Sequence, residues 1–448
     1  MVMTLLRRWD PCLIGTAFLA AMILSGAAAA QDVPRADPER MLARIEALSA
    51  FGRNADGGVD RVAYSEADLA ARAHVMALMR DLGLTVRTDT AGNMFGHRDG
   101  SEPELPALLF GSHIDSVPGG GNYDGPAGVF AALEAITLLN EAGHTTRHPL
   151  EVVVFADEEG GLIGSLAMAG KLKPAALQVQ SHAGISVAEG IRRLGGDPDR
   201  LQDARIDPAD YKAFIELHIE QGAILEESNT DIGVVEGIVG IRWWDVVIEG
   251  MANHAGTTPM DRRRDAMVAA ADLTLAINQV AVQTPGRQVA TVGRIQAFPG
   301  APNVIPGRVV MSLEVRDLDR TKIEAVFQAI KAKVPAIETA RGVSVRFDAL
   351  EVASEPAPTD PRMRQIIADA AKDMGLSRRF MPSGAGHDAQ DMVPLMPTGM
   401  IFVPSRAGIS HSPDEFTAPE DLANGADVLL RALLALDGGA LEQAASDD

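Results

Sequence analysis

The chain has 448 residues, more than one typical hydrophobic core holds, and this length predicts two domains. Apolar residues make up 46% of it and charged residues 23%, a balance that argues against a disordered chain. The formal net charge of −21 argues against nucleic acid as a partner, because binding to its phosphates depends on clustered Lys and Arg.

The first 30 residues have the pattern of a secretory signal peptide. Arg7 and Arg8 precede an apolar run from Cys12 to Leu24, and alanines 28–30 follow it. A membrane anchor, the alternative, needs about 20 apolar residues, and this run is shorter. We therefore expect a periplasmic or secreted protein with no membrane attachment after removal of the segment. The only cysteine leaves with it, so a metal site must use imidazole and carboxylate ligands.

Helix and strand patterns alternate after the signal peptide. Helical patterns at 37–48 and 69–79 precede a hairpin, LTVRTDTAGNMFGHR, whose turn is predicted at 91–93. The strand ALLFGSH, a helix predicted as amphipathic, GPAGVFAALEAITLLNEAG, and the strand LEVVVFADEEG follow. This β-α-β order predicts an α/β fold with a doubly wound, mainly parallel sheet, in which ligands bind beyond the carboxyl ends of the strands.

A second unit begins near Gly240. Its two helical and four strand patterns, over about 110 residues, predict a small α+β sandwich with its own core. Because the patterns of the first unit resume after Pro356, we interpret the second unit as an insertion. The predicted organisation is a signal peptide (1–30), a catalytic domain (31–239 and 351–448) and an inserted lid or dimerisation domain (240–350).

Polar side chains stand beside apolar runs in five places: GSHIDSVPGGGNYDGPAGV, FADEEG, ELHIEQG, GAGHDAQD and SHSPDE. Two divalent ions about 3.5–4 Å apart need several imidazoles and carboxylates, one of which bridges the ions. A lone histidine at a strand end is more often part of hydrogen-bonded packing, and these segments are far apart in sequence. The joint pattern nevertheless favours a metal site that includes His113, Asp124, Glu159, His218 and His411.

These segments, with ANHAGTTPM and APNVIPG, resemble motifs of the M20 metallopeptidase clan from about Ala43 to Leu436. More narrowly they resemble its hydantoinase/carbamoylase branch of N-carbamoyl-L-amino-acid hydrolases, β-ureidopropionases and allantoate amidohydrolases. The resemblance implies two divalent metal ions, Zn²⁺ or else Mn²⁺ or Co²⁺. The implied ligands are His113 and His218 for one ion, Glu159 and His411 for the other, and Asp124 as the bridge.

The resemblance also implies roles beside the metals. Glu158 would be the general base, Asp115 would orient the His113 imidazole, and His254 would stabilise the oxyanion. The residues implied to bind the substrate carboxylate are Gln221, Asn303 and Arg316, and His387 is expected near the substrate.

Simpler interpretations of these residues stay open from the sequence. Side chains alternate along a strand, so Glu158 and Glu159 would point apart if the strand continued through them. His254 could be an ordinary turn histidine. Arg316, inside an apolar strand, needs a carboxylate partner, which could equally be Glu314 or Asp317.

The leading prediction is an exported amidohydrolase that cleaves the linear C–N bond of an N-carbamoyl-L-amino acid and forms a homodimer. The sequence GGLIGS at 160–165 lacks the arginine and aromatic residue usual at this point in carbamoylases, which puts the substrate in doubt. An allantoate- or ureidoglycolate-type amidohydrolase, a peptidase and an aminoacylase are the enzymatic alternatives. A binding protein without turnover is disfavoured, because neither the base nor a ligand is missing.

Overall fold

The computed structural model describes residues 34–350 and 354–443. The segment interpreted as a signal peptide lies outside these residues. The chain divides into two compact units. The larger unit contains the described residues up to 235, those of 359–380 and those from 391 onward, and the smaller unit contains Glu236–Pro358 and Met381–Gln390.

The strands of the described residues, in chain order, are β1 Thr85–Thr88, β2 Met94–Arg98, β3 Ala107–His113, β4 Leu150–Phe155, β5 Tyr211–Ile219, β6 Ile232–Ile238, β7 Gly240–Glu249, β8 Asn253–His254, β9 Val289–Thr291, β10 Ile295–Phe298, β11 Val304–Ile305, β12 Arg308–Asp317, β13 Ser344–Ala349, β14 Ala357–Pro358, β15 Arg378–Ser383 and β16 Thr398–Val403.

The α-helices of the described residues, in chain order, are α1 Pro38–Ser49, α2 Glu66–Asp81, α3 Pro126–Glu141, α4 Glu158–Gly161, α5 Ile163–Met168, α6 Val187–Arg193, α7 Ile224–Glu227, α8 Ala266–Gln283, α9 Arg320–Lys331, α10 Val334–Arg341, α11 Pro361–Asp373, α12 Ala389–Met392, α13 Pro419–Asp437 and α14 Ala440–Gln443.

The larger sheet has the strand order β1-β2-β4-β3-β5-β16-β6-β14, and β15 also pairs with β6. Its central strands β4, β3, β5 and β16 are parallel. The strands on either side pair antiparallel, and β1 and β2 form the predicted hairpin. Helix α3 forms as predicted, but the prediction that it is amphipathic is wrong: the helix is apolar on nearly every face and is almost wholly buried, as such a helix must be. The predicted α/β fold class is confirmed.

The smaller unit is a two-layer sandwich. Its antiparallel sheet has the order β10-β12-β7-β13, with β9 also paired to β12, and helices α8, α9 and α10 share one hydrophobic core with it. Along β12, buried and half-buried residues alternate strictly, so one sheet face carries the core. The sequence pattern of VATVGRIQAF (289–298) predicts one strand, but the structure has two, β9 and β10, because the register on β12 shifts by one residue.

A buried carboxylate anchors α1 to α3, the helix that follows the Asp124 loop. The fully buried side chain of Glu134 accepts hydrogen bonds from Arg40 Nε at 2.8 Å and from Arg44 Nη1 at 2.8 Å. It also accepts one from the main-chain N–H of Asp37, the N-cap residue of α1, at 3.1 Å. Arg40 reaches Glu141 as well, on the exposed side of α3.

We predict that Glu134→Ala lowers the free energy of unfolding by about 3 kcal/mol, because it leaves two guanidinium groups and a main-chain N–H without their carboxylate. Urea unfolding measures the change. Glu141→Ala is the matched control: its carboxylate also pairs with Arg40 but is 44% exposed, so the loss should stay below about 1 kcal/mol. Equal losses in the two variants would contradict the anchoring role.

Candidate metal centre

Two histidines stand at the carboxyl ends of neighbouring parallel strands. His113 is the last residue of β3 and His218 is the second-last residue of β5. Each ring donates its Nδ1–H to a main-chain oxygen, that of Asp115 at 3.1 Å and that of Ile219 at 2.9 Å respectively. These hydrogen bonds fix the rings and direct Nε2, the nitrogen that can bind a metal, toward one point.

The carboxylate of Asp124 lies at that point. Its Oδ1 is 3.1 Å from His218 Nε2 and 3.6 Å from His113 Nε2, and its Oδ2 is 3.3 Å from His411 Nε2. The Oδ2 atom also accepts a hydrogen bond from Gln221 Nε2 at 2.6 Å. A single carboxylate therefore faces three imidazoles, two through one oxygen and one through the other.

The potential ligands form two groups that share Asp124. One group is His113, Asp124 and His218, and the other is Asp124, Glu159 and His411, each with its ligand atoms within 4.8 Å of one another. Two buried atoms in these groups, His113 Nε2 and Glu159 Oε1, have no hydrogen-bond partner. Buried polar atoms are normally paired, and these nitrogen and oxygen donors suit a borderline divalent ion. The residues present therefore fit a metal centre.

The charges at the centre favour bound cations. Although burial opposes it, the charge of His218 and close contacts with the three imidazoles hold the pKa of Asp124 well below its usual range. Burial, together with the nearby charge of Asp124, raises the pKa of Glu159 to about 7. A hydrogen bond with Asp124 raises the pKa of His411 to about 9. A proton on Nε2 of His411 takes the position that a metal ion would occupy, so the proton and the metal ion compete for this nitrogen.

Glu158 and Glu159 lie on a helical turn. The backbone of Asp157 adopts a left-handed conformation (φ 53°), which ends the extended chain after β4 and starts α4 at Glu158. Both side chains are only 9% exposed: Glu158 Oε2 lies 3.8 Å from His113 Nε2, and Glu159 Oε1 lies 3.5 Å from His411 Nε2. The interpretation in which a continued strand points them apart is wrong, because the strand ends at Phe155.

Asp115 supports α4 with its carboxylate. The two carboxylate oxygens accept hydrogen bonds from the main-chain N–H groups of Glu158 at 3.3 Å and of Glu159 at 3.1 Å. The predicted contact with the His113 imidazole is made by the main-chain oxygen of Asp115, and the carboxylate oxygen is farther away, at 3.6 Å. Asp115 therefore contacts both sides of the centre.

Gly125 leaves the space that the His113 ring fills. Its backbone is left-handed (φ 81°), and a Cβ atom at this position would lie 2.5 Å from the Cε1 atom of His113. Only glycine meets both conditions without strain, which explains one glycine in the GGGNYDGPAG segment.

The other predicted substrate residues belong to the smaller unit. The exposed His254 accepts hydrogen bonds at Nδ1 from the N–H groups of Gly256 at 2.9 Å and Thr257 at 3.3 Å, so its neutral ring carries the proton on Nε2. Asn303 is exposed, and its main-chain oxygen accepts from the N–H of Ala255 at 3.0 Å.

Arg316 and His387, also in the smaller unit, both have protein partners. Arg316 donates to Glu314 through Nε at 2.7 Å and Nη2 at 3.1 Å, and to the main-chain oxygen of Gly384 through Nη1 at 2.6 Å. Glu314 is thus the carboxylate partner that the sequence left open. The buried His387 has its Nε2 2.9 Å from Ser383 Oγ.

Glu415 was not singled out from the sequence, although it contacts both loops of the centre. It ends the SHSPDE segment, and its side chain is buried between Asp124 and His411. The sequence feature that could have identified Glu415 is its position four residues after His411. Because an acidic residue near a turn is normally solvated, this spacing alone gave no reason to select it.

Comparisons with known proteins agree with the sequence motifs. Residues 109–435 match the family described as "Peptidase family M20/M25/M40". An N-carbamoyl-L-amino acid amidohydrolase of Geobacillus stearothermophilus is 43% identical over 406 residues, which cover 90% of this chain and 99% of that protein. A ureidoglycolate hydrolase of Arabidopsis thaliana is 38% identical over 398 residues, 86% of this chain and 84% of that one.

A solved structure is similar along the same length. The crystal structure of a hydantoinase/carbamoylase family amidase from Burkholderia multivorans aligns with a TM-score of 0.83 at 35% identity, covering 90% of this chain and 98% of that chain. The chain therefore belongs to peptidase family M20/M25/M40 and, within it, to the hydantoinase/carbamoylase amidase branch of metal-dependent amidohydrolases.

Proposed function

We propose that the protein is an exported two-metal amidohydrolase that cleaves the ureido C–N bond of an N-carbamoyl-L-amino acid. The observation that carries this proposal is the pair of ligand groups that share Asp124, with Glu158 beside them. The 43% identity to an N-carbamoyl-L-amino acid amidohydrolase supports the substrate class. Hydrolysis of the carbamoyl group releases the free amino acid, ammonia and carbon dioxide.

His113 and His218 would hold one divalent ion, Glu159 and His411 a second, and Asp124 would bridge them. Such ions, when bound, polarise a carbonyl group and lower the pKa of water. Nitrogen and oxygen donors without thiolates suit Zn²⁺, Mn²⁺ or Co²⁺. Asp115 holds the main chain of Glu159 and the ring of His113, so it would keep one ligand of each ion in place.

Glu158 would be the general base. Its main-chain N–H is held by Asp115, so its side chain extends from a fixed helical turn toward the ligand groups. It would take a proton from the attacking water and pass it to the leaving nitrogen. His254 would donate a hydrogen bond to the oxyanion from Nε2–H, the tautomer that its two hydrogen bonds at Nδ1 favour.

An allantoate- or ureidoglycolate-type amidohydrolase is the alternative, favoured by the 38% identity to a ureidoglycolate hydrolase. The segment after the two acids bears on this choice. The segment GGLIGS has only small and apolar side chains directly after Glu158 and Glu159. Within it, Leu162 has a left-handed backbone (φ 57°) and Ile163 is buried. A peptidase or aminoacylase would use the same metal ligands and the same base.

We expect ammonia release from N-carbamoyl-L-amino acids with Mn²⁺ present, and loss of activity with a chelator. In a panel of N-carbamoyl amino acids, allantoate, ureidoglycolate, N-acyl amino acids and dipeptides, the first class should have the highest kcat/KM. Glu158→Gln should lower kcat by about 10²–10⁴-fold, because it removes proton transfer. Its metal content, measured by mass spectrometry, should equal that of the wild type. A preference for N-acyl amino acids or dipeptides would reject the carbamoylase assignment.

Arg316, with Asn303 and Gln221, would bind the carboxylate of the substrate, and His387 would lie near the substrate. A guanidinium group has five N–H donors, and the contacts of Arg316 with Glu314 and Gly384 use three of them. Two donors thus remain for a substrate carboxylate. Glu314 would hold the guanidinium plane in a fixed orientation.

We predict that Arg316→Lys raises KM for N-carbamoyl amino acids at least about tenfold, because lysine lacks the planar fork. For a substituted urea without a carboxylate, kcat/KM should be the same in the variant and the wild type. Arg346→Lys is the matched control, since Arg346 pairs with Asp348 through the same two-residue spacing in the same unit. A loss that is equal for both substrates would exclude carboxylate binding by Arg316.

A homodimer is proposed from an apolar stripe on α8. One face of this helix lies in the core of the smaller unit, whereas Val268, Leu275 and Val282, seven residues apart, are 38%, 65% and 77% exposed. By length and composition the helix is apolar enough to cross a membrane, but its opposite face packs on the sheet. An exposed apolar stripe on a folded domain marks an interaction surface.

Light scattering should therefore give twice the chain mass for the wild type and the single chain mass for Leu275→Glu/Val282→Glu. Val179→Glu is the control, because Val179 is a similarly exposed apolar residue in the larger unit. A wild-type monomer, or a double variant that stays dimeric, would refute the proposed interface.

Export is proposed from the basic, apolar and small-residue pattern of residues 1–30. Cell fractionation followed by N-terminal sequencing should find the mature protein outside the cytoplasm with Gln31 as its first residue. An intact N-terminus in the cytoplasmic fraction would refute export.

A further inference from the structure

We propose that Glu415 is a positioning residue that joins the Asp124 loop to the His411 loop and thereby completes the metal site of Glu159 and His411. This inference rests on the proposed function, because it concerns the same centre. Glu415 would act through the ligands that it holds and would itself bind no metal.

Each oxygen of the Glu415 carboxylate serves a different loop. Oε1 accepts hydrogen bonds from the main-chain N–H groups of Tyr123 at 2.7 Å and Asp124 at 3.0 Å. Oε2 accepts from Ser410 Oγ at 2.9 Å and from the main-chain N–H of His411 at 3.3 Å. One buried side chain thus crosslinks two loops that are almost 300 residues apart in sequence.

Asp124 and His411 need this support more than the other ligands do. His113 and His218 lie in strands of the sheet, and Glu159 lies on α4, whose first two N–H groups are held by Asp115. Asp124 and His411 lie on loops. His411 has a left-handed backbone (φ 54°), which a residue with a side chain adopts only when its surroundings hold it there.

Ser410 strengthens the connection. Its hydroxyl oxygen is 2.8 Å from Asp124 Oδ2 and 2.9 Å from Glu415 Oε2, so it stands between the proposed bridging ligand and the positioning carboxylate. The same Asp124 oxygen is the one that faces His411. A shift of Glu415 would therefore reach both loop-borne ligands of the same site.

The Glu415 carboxylate packs against Gly121, where the absence of a side chain makes room for it. A Cβ atom on Gly121 would lie 2.3 Å from the carboxyl carbon of Glu415 and 2.3 Å from its Oε1. The backbone of Gly121 is not left-handed, so an alanine there conflicts with Glu415 through space alone. Gly121→Ala therefore displaces the carboxylate while it keeps every donor, every acceptor and every proposed ligand.

The charge of Glu415 is as important as its shape. Three of its four contacts are main-chain N–H groups, which can only donate, and they face both oxygens, so both oxygens must accept. Glu415→Gln keeps the size of the side chain but replaces one carboxylate oxygen by an NH₂ group. This NH₂ group then faces main-chain N–H groups from one of the two loops and cannot accept their hydrogen bonds. The result is a loss of hydrogen bonds to one loop with little change in volume.

The test is metal binding by protein that has first been stripped with a chelator and then titrated with Zn²⁺ against a chromogenic competitor. The wild type should bind two equivalents. Glu415→Gln should bind the second equivalent about 10–100-fold more weakly, the usual effect of losing a group that orients metal ligands. The first equivalent should weaken less, because Asp124 is the only one of its proposed ligands that Glu415 supports. Gly121→Ala should also weaken the second equivalent.

Asp437→Asn is the matched control. Its buried carboxylate also accepts two main-chain N–H groups, those of Arg147 at 3.0 Å and His148 at 2.8 Å, before the amino end of β4. It should bind both equivalents like the wild type. An equal loss in Asp437→Asn, or wild-type binding by either Glu415→Gln or Gly121→Ala, would overturn the inference. A wild type that binds no metal would overturn the proposed function itself.

Discussion

The structure of the centre depends on the charge of one buried carboxylate. Asp124 faces three imidazoles from three segments of the chain, and the charge of His218 and the contacts with the imidazoles keep its pKa low despite burial. Burying a carboxylate without partners would cost several kcal/mol, so the imidazoles and Asp124 require one another. In the proposed enzyme the same Asp124 oxygens would bind two cations. The positive charge of these cations would balance the carboxylates of Asp124, Glu158 and Glu159.

The structural elements that carry the proposed metal ligands differ in rigidity. Parallel strands β3 and β5 end side by side, so His113 and His218 converge as a consequence of sheet pairing. Glu158 and Glu159 come after β4 on a turn whose N–H groups bind Asp115. The proposed ligands Asp124 and His411 lie on loops outside the sheet, and the Glu415 carboxylate accepts hydrogen bonds from the main chain of both. Sheet pairing therefore fixes the positions of His113 and His218, whereas polar contacts between loops fix those of Asp124 and His411.

Periodicity and motifs in the sequence predicted the fold and the family. The β-α-β order was sufficient for the α/β fold, and the strand and helix patterns after Gly240 were sufficient for the two-layer insert. The motifs were sufficient for the family. The two acids after β4 were harder, since their common direction depends on the left-handed backbone of Asp157, and a strand pattern does not reveal where such a turn occurs. The partner of Arg316 and the contacts of Glu415 depend on side-chain geometry that spacing does not determine.

The proposed enzyme requires two cations that share Asp124. Anomalous diffraction from crystals soaked in Zn²⁺, recorded on both sides of the zinc absorption edge, tests this requirement most directly. We predict two peaks about 3.5–4 Å apart, one beside His113 and His218 and one beside Glu159 and His411, with the Asp124 carboxylate between them. A single peak, or two peaks of which only one contacts Asp124, would contradict a two-metal centre bridged by this carboxylate.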